Sequence, residues 1–162
     1  MRLFIAFLVA VLTAPPGAVS LTSVRSTREQ LWFSNPVLGL KGTITPIPGS
    51  RFDIVVVAVG DAPIEGDVRQ FTVTTVAGAS FEPIAIGGGA DLIFPLDSIA
   101  VGREMGQILP NDAQVIVTRT SPTRVTVAAD PHASLAFVFQ VPRAGEIASL
   151  HLPDGTVLPL GK

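Results

Sequence analysis

The chain has 162 residues, of which 48% are hydrophobic and 15% are charged, and its formal net charge is −2. This composition is too apolar for a disordered chain and too poor in lysine and arginine for a nucleic-acid-binding protein. The 15 glycines and 14 prolines favour many short elements over long helices, and the lack of cysteine excludes disulfides, thiolate catalysis and cysteine-ligated zinc.

The first 20 residues have the pattern of a secretory signal peptide. Arg2 supplies a positive charge, residues 3–12 form an uncharged apolar run, and a proline pair follows before the small residues Ala18 and Ser20, at −3 and −1 of a possible cleavage site. An apolar run of this length is too short to cross about 30 Å of hydrocarbon. We therefore predict residues 1–20 as a signal peptide, a periplasmic or secreted location, and no membrane span after cleavage.

Residues 21–37 are interpreted as an N-terminal extension. Ser26 and Glu29 have the spacing of a capping box, which predicts one helical turn that ends by Asn35. The single tryptophan, Trp32, is expected to plug the core or to cover one end of the domain, because large aromatic side chains are mostly buried.

From residue 38 onward the apolar residues recur with a period of two, which predicts β-strands. The strongest signal is RFDIVVVAV at 51–59, which is apolar on both faces, as in a strand buried between two layers. Residues 81–86 are predicted to form a short strand that Pro83 marks as an edge strand. Further strands are predicted at 40–47, 68–76, 114–119, 123–128, 135–141, 147–152 and 157–160.

The strand at 135–141 carries the core prediction. Its odd-numbered residues, which include Phe137 and Phe139, alternate on one face and are expected to point into the space between two sheets. Gln140 alternates with them and is expected to face solvent.

Short strands at intervals of about 8–12 residues, separated by turn residues, are typical of an antiparallel sandwich. We therefore predict an all-β protein. Its fold is an immunoglobulin-like antiparallel β-sandwich over residues 38–162, preceded by the signal peptide and the extension.

Four stretches of the chain resemble a bacterial family of exported immunoglobulin-like domains of unknown function, whose fold is called telokin-like. They are GSRFDIVVVAVGDAPIEG, FTVTTVAGASFEP, LAFVFQVP and IASLHLPDGTVLPL. The resemblance covers residues 38–160 and concerns the fold, since the family pattern contains no catalytic residue to carry over. It implies a role in binding or assembly outside the cytoplasm.

Asp130, His132 and Ser134 bring the residue types of a nucleophilic triad within five positions. Neighbours this close in sequence cannot align serine, imidazole and carboxylate, because triads are assembled from distant segments. We interpret the segment as a turn in which Pro131 fixes φ. No other pairing of a base with a nucleophile is evident, so the protein is predicted not to be an enzyme.

His132 and His151 are the two histidines of the chain, and Asp130 and Asp154 lie near them in sequence. If the strands on either side of the turn at 142–145 paired as a hairpin, these residues could approach one another and form a weak zinc or copper site. Solvated histidines are the commoner case, so no metal or cofactor is predicted. A small extracytoplasmic metal- or ligand-binding protein remains the alternative function.

Residues 83–102 carry two charges among many apolar side chains. Such a stretch is either a lid on the core or an exposed patch that contacts a partner. Ile93, Phe94 and Leu96 are the candidate contact residues, together with the predicted strand edge at 81–86. The predicted function is a non-enzymatic exported module that binds an unidentified envelope or extracellular protein or surface.

Overall fold

The structure is a computed structural model and describes residues 17–35, 40–88, 93–98, 107–108, 115–121 and 123–161. The first eight strands are β1 (Ser20–Thr27), β2 (Leu31–Asn35), β3 (Leu40–Ile44), β4 (Ser50–Ala58), β5 (Ile64–Asp67), β6 (Thr72–Thr75), β7 (Ser80–Phe81) and β8 (Pro83–Gly87). The later strands are β9 (Ile93–Pro95), β10 (Gln107–Ile108), β11 (Val115–Ser121), β12 (Arg124–Ala129), β13 (Ser134–Pro142), β14 (Ile147–His151) and β15 (Val157–Pro159). Two 3₁₀ helices are Val68–Gln70 and Leu96–Ser98.

The strands form antiparallel sheets, so the prediction of an all-β sandwich is confirmed. The five-stranded central sheet has the order β1-β4-β13-β8-β9. Two four-stranded sheets have the orders β10-β11-β12-β5 and β15-β14-β6-β7, and β2 pairs with β3. Within the described ranges, no helix is long and apolar enough to cross a membrane.

The main core lies between the central sheet and the two four-stranded sheets. Phe137 and Phe139 on β13 are fully buried in it, as predicted, and the ring of Phe137 stacks on that of Phe71 with centroids 4.7 Å apart. Gln140, expected to face solvent, is instead half-buried, and its Oε1 accepts a hydrogen bond of 3.2 Å from the Ile47 N–H. Phe137 and Phe139 therefore lie in the main core, whereas Gln140, on the alternate face of β13, stays partly exposed.

A second core covers the opposite face of the central sheet. Here Ile54 on β4 and Val138 on β13 are buried beneath Leu31 and Ile44 of the β2–β3 hairpin. The hairpin is itself closely packed, since a Cβ atom on Gly42 would lie 2.9 Å from the Phe33 ring. The central sheet is thus covered on both faces, which explains why β4 is apolar in both phases.

The helical turn predicted near Ser26 does not form. β1 continues through Thr27, and the Ser26 hydroxyl donates a 2.6 Å hydrogen bond to Asp53 on β4 instead of capping a helix. Pairing with β4 therefore overrides the local capping signal. The segment interpreted as an extension supplies both β1 and β2.

Trp32 is exposed to 71%, so the prediction that it plugs the core is wrong. Side chains alternate along β2, and Leu31 takes the side that faces the central sheet. Trp32 consequently lies on the outer face of the hairpin, opposite Thr43 of β3.

The strand predicted from residue 68 begins only at Thr72, because a 3₁₀ helix precedes it. Asp67 accepts a 3.0 Å hydrogen bond from the Arg69 N–H, and the Gln70 side chain accepts one of 3.1 Å from the Asp67 N–H. This reciprocal arrangement is a capping box, which fixes the turn before the strand starts.

The prediction that Pro83 marks an edge strand is also wrong. β8 pairs with β13 on one side and with β9 on the other, so it lies inside the central sheet. Pro83 is the first residue of β8, a position where the missing N–H is tolerated.

Candidate functional site

The edges of the three larger sheets differ strongly in length. In the described part of the chain, the edge strands β5, β7, β9, β10 and β15 have two to four residues each, whereas β1 has eight. Short edge strands are one way in which proteins prevent pairing with other chains. β1 lacks this protection, and its outer edge is the candidate functional site.

β1 is unusually exposed for a strand of a central sheet. Every side chain from Ser20 to Ser26 is exposed, including Leu21 and Val24 at 37% each, and only Thr27 is half-buried. No other described strand pairs with the outer side of β1. Its outward N–H and C=O groups are therefore placed to pair with an added strand.

The inner side of β1 is bound to β4 along its whole length. The pairing runs from Ser20 opposite Ala58 to Thr27 opposite Phe52, with an irregularity between Leu21 and Ser23. β4 is in turn paired with all nine residues of β13. The exposed strand β1 is thus hydrogen-bonded to the deeply buried strand β4, which is paired in turn with the deeply buried strand β13.

A buried polar cluster fastens the end of β1. Asp53 is fully buried on β4 and accepts hydrogen bonds from Ser26 at 2.6 Å and from the Arg51 guanidinium at 2.8 and 3.0 Å. The hydrogen bond to Asp53 raises the pKa of Arg51, against the opposing effect of burial. The cluster satisfies the Asp53 charge and ties the edge strand to the sheet.

Arg51 also connects this cluster to the turn after β13. Its Nη1 donates to the Arg143 carbonyl at 2.7 Å, and its Nη2 donates to the Gly145 carbonyl at 2.6 Å. A single guanidinium therefore links β4, the edge strand and the β13–β14 turn. These links hold β4, the edge strand and the turn after β13 in fixed relative positions.

The hairpin on which the predicted histidine site depends does not form. β13 belongs to the central sheet, whereas β14 pairs with β6 and β15 in a different sheet. Because the two strands lie in different sheets, their register does not bring His132 towards His151.

Each histidine has its own neighbours. His132 Nε2 lies 3.5 Å from Asp61 Oδ1, and both side chains are more than 70% exposed. His151 Nε2 is 3.0 Å from the Thr74 hydroxyl and 3.1 Å from that of Ser149. Among the residues that the structure describes, no group of three His, Cys, Asp or Glu side chains is placed to hold a metal.

The two aspartates of the predicted site lie in turns. The Asp130 carbonyl accepts a 3.1 Å hydrogen bond from the Ala133 N–H, which confirms the predicted turn, and His132 within it has a φ of 66°. Asp154 lies between β14 and β15, where its Oδ1 accepts a 2.8 Å hydrogen bond from the Thr156 N–H.

The predicted contact residues lie at the other edge of the central sheet. Ile93 and Phe94 belong to β9, opposite Gly87 and Ile86 of β8, but their side chains lie outside the described part. Leu96 is half-buried and packs against the main core. This edge strand is also short and ends at Pro95.

The signal-peptide prediction concerns residues 1–20, of which 1–16 lie outside the described residues. The first described contact is the hydrogen bond from the Asp61 N–H to the Gly17 carbonyl, at 2.9 Å. Ser20, the last residue of the predicted signal peptide, is the first residue of β1.

Comparison of this chain with known protein families, with curated proteins and with solved structures gives no match, and the resemblance to exported immunoglobulin-like domains stays a prediction.

Proposed function

We propose that this protein is an exported, non-enzymatic binding module that takes up an extended segment of a partner protein along the outer edge of β1. The observation that carries the proposal is the length of this edge. β1 has eight residues, and Leu21–Thr27 remain after removal of residues 1–20, whereas each other described edge strand of the three larger sheets has two to four. The proposed partner is a protein of the cell envelope or of the extracellular space.

Strand addition suits the chemistry of this edge. Main-chain hydrogen bonds supply affinity in this mode, and contacts of alternate side chains supply specificity. Leu21 and Val24 offer partly exposed apolar surface for such contacts. Each main-chain hydrogen bond contributes about 0.5–1.5 kcal/mol net, so several in a row are needed, and a long edge provides them.

β1 is held in place by the rest of the protein. β4 holds β1 from the inner side, and the Ser26–Asp53–Arg51 cluster fastens its end. A rigid acceptor loses little conformational freedom when a partner binds, which favours affinity.

The charges of the edge favour an acidic partner segment. Arg25 and Arg28 are exposed, and the nearest carboxylate along the chain is that of Glu29. Opposite charges across neighbouring strands stabilise the pair, and like charges destabilise it. An acidic residue opposite Arg25 is therefore expected in the partner.

Proline substitutions on β1 test the proposal. Successive N–H groups of a strand point to opposite sides. One of the two variants Val24→Pro and Arg25→Pro therefore removes an N–H that bonds to β4, and the other removes an N–H that points outward. The variant that retains the wild-type melting temperature identifies the outward position. We expect this variant to lose a partner that the immobilised wild type retains from an envelope extract.

A matched control is Val157→Ser, which removes exposed apolar surface from a different edge strand, β15. It should retain the partner as the wild type does. Equal retention by the wild type and by the folded proline variant would exclude β1 as the binding edge.

Export is tested separately by N-terminal sequencing of the mature protein. The sequence should begin between about residues 18 and 24, after a small residue. The edge proposal requires a start no later than Leu21, which leaves at least seven residues of β1. An intact Met1 on cytoplasmic material would contradict export and leave the edge proposal to its own test.

A further inference from the structure

A small pocket lies between β5 and the turn that joins β14 to β15. It has a volume of about 120 Å³ and is lined by Pro63, Ile64, Glu65, Leu152, Pro153 and Asp154. A cavity of about 150 Å³ holds a benzene molecule. The pocket is therefore large enough for a short aliphatic chain and too small for an indole ring.

The apolar part of the pocket is firmly built. Leu152 is 4% exposed and Ile64 packs against the main core. β5 approaches the turn so closely that a Cβ atom on Gly66 would lie 2.6 Å from Cγ of Pro153. The walls are thus set by close packing.

The charged part of the pocket consists of two carboxylates. Glu65 and Asp154 are both exposed, and neither forms an ion pair within 4.0 Å of a described basic residue. This distinguishes them from Asp53 and Asp67, whose charges are paired with arginines. Two carboxylates beside an apolar cleft are complementary to a cation on an aliphatic stem.

We propose that this pocket binds a lysine side chain of a peptide or protein segment. The four-carbon stem lies along Pro63 and Pro153, above a floor formed by the half-buried Ile64 and the buried Leu152. The ammonium group reaches Glu65 and Asp154. Lysine fits better than arginine because its charged group is compact and its stem packs readily on apolar surface. This site is separate from the β1 edge and does not depend on the proposed function.

The position of β5 leaves the pocket accessible. β5 pairs with β12 on one side and is the last strand of its sheet in the described part of the chain. A segment that presents lysine can therefore reach the pocket from the open side of β5.

The direct test is titration with the peptide acetyl-Gly-Lys-Gly-amide, followed by amide chemical shifts in NMR. Saturable shifts are expected at Ile64, Glu65 and residues 152–155. The analogue with norleucine in place of lysine keeps the stem and lacks the charge, and it should bind about tenfold more weakly. Salt should weaken the lysine peptide and leave the norleucine peptide almost unchanged.

The matched variant is Glu65→Gln combined with Asp154→Asn, which removes both charges and keeps the side-chain shapes. It should reduce affinity for the lysine peptide about tenfold and retain the wild-type melting temperature, while Asp130→Asn, an exposed aspartate outside the pocket, should bind normally. Equal binding of the lysine and norleucine peptides, unchanged affinity in the double variant, or no saturable shifts would each overturn the proposal. The folded β1 proline variant should bind the lysine peptide normally, which separates this test from that of the edge.

Discussion

Asp53 is fully buried, and both of its carboxylate oxygens accept hydrogen bonds from the Arg51 guanidinium, at 2.8 and 3.0 Å. The Ser26 hydroxyl of the edge strand donates to the same carboxylate at 2.6 Å. The hydrogen bond that attaches β1 to β4 is therefore made to a carboxylate that also forms an ion pair with Arg51 inside the central sheet. Two substitutions of unequal effect follow from this arrangement.

Asp53→Ala should lower the free energy of unfolding by about 3 kcal/mol, because it leaves the Arg51 charge without its partner in a largely buried place. Ser26→Ala removes one hydrogen bond and leaves the ion pair intact, so it should cost about 1 kcal/mol. Urea unfolding of both variants measures the difference. Equal losses would mean that the ion pair does not stabilise the sheet as the geometry indicates.

Phe137→Ala should cost about 3–5 kcal/mol, since it opens a cavity beside the stacked Phe71 ring. Gln140→Ala, three residues later on the same strand, removes only a hydrogen bond from Ile47 and should cost about 0.5–1 kcal/mol. Thermal unfolding of the two variants compares the two phases of β13. Similar melting temperatures would contradict the burial of Phe137.

Asp67 introduces a pH dependence. The hydrogen bond from the Arg69 side chain lowers the pKa of Asp67 by more than burial raises it. The charged carboxylate therefore stabilises the fold fully above its ordinary pKa of 3.8, and this stabilisation is lost as the pH falls through the lowered value.

Asp67→Asn keeps a capping side chain and removes the charge, which makes it the matched variant. The wild type should be more stable than this variant at neutral pH, and the difference should vanish in strong acid. Melting temperatures measured from pH 7 downward test this. A difference that persists unchanged at the acid end would exclude the ionised Asp67 as its cause.

The fold was largely predictable where burial dictates the pattern. β4 is apolar in both phases because layers cover both faces of the central sheet, and β13 shows its core phase in Phe137 and Phe139. Trp32 could not be placed in this way. Leu31 and Trp32 are both large and apolar, and only the packing of the hairpin on the central sheet decides which of them is buried.

The candidate site was not predictable from periodicity. β1 is held by main-chain pairing with β4, and its side chains from Ser20 to Ser26 are exposed, so no alternation of apolar and polar residues marks it. Whether His132 and His151 come together was equally beyond local pattern, because it depends on which sheets β13 and β14 join, and the two strands join different sheets.

The histidines give a prediction about metals. His132 lies beside Asp61, and His151 lies beside two hydroxyl groups, with no third metal ligand in either group among the described residues. Zinc or copper should therefore leave the melting temperature unchanged in the wild type and in the variant with both histidines replaced by alanine. A metal-dependent rise seen only in the wild type would support the metal-binding alternative.

Amide hydrogen exchange in β1, measured with and without the captured partner, shows whether β1 receives the partner strand. In the free protein, the N–H groups of Leu21–Ser26 that point away from β4 should exchange fast, and those bonded to β4 should exchange slowly. Strand addition predicts that the fast set, at alternate residues, becomes protected in the complex. Protection confined to other strands, with the fast set unchanged, would contradict the claim that β1 receives the partner.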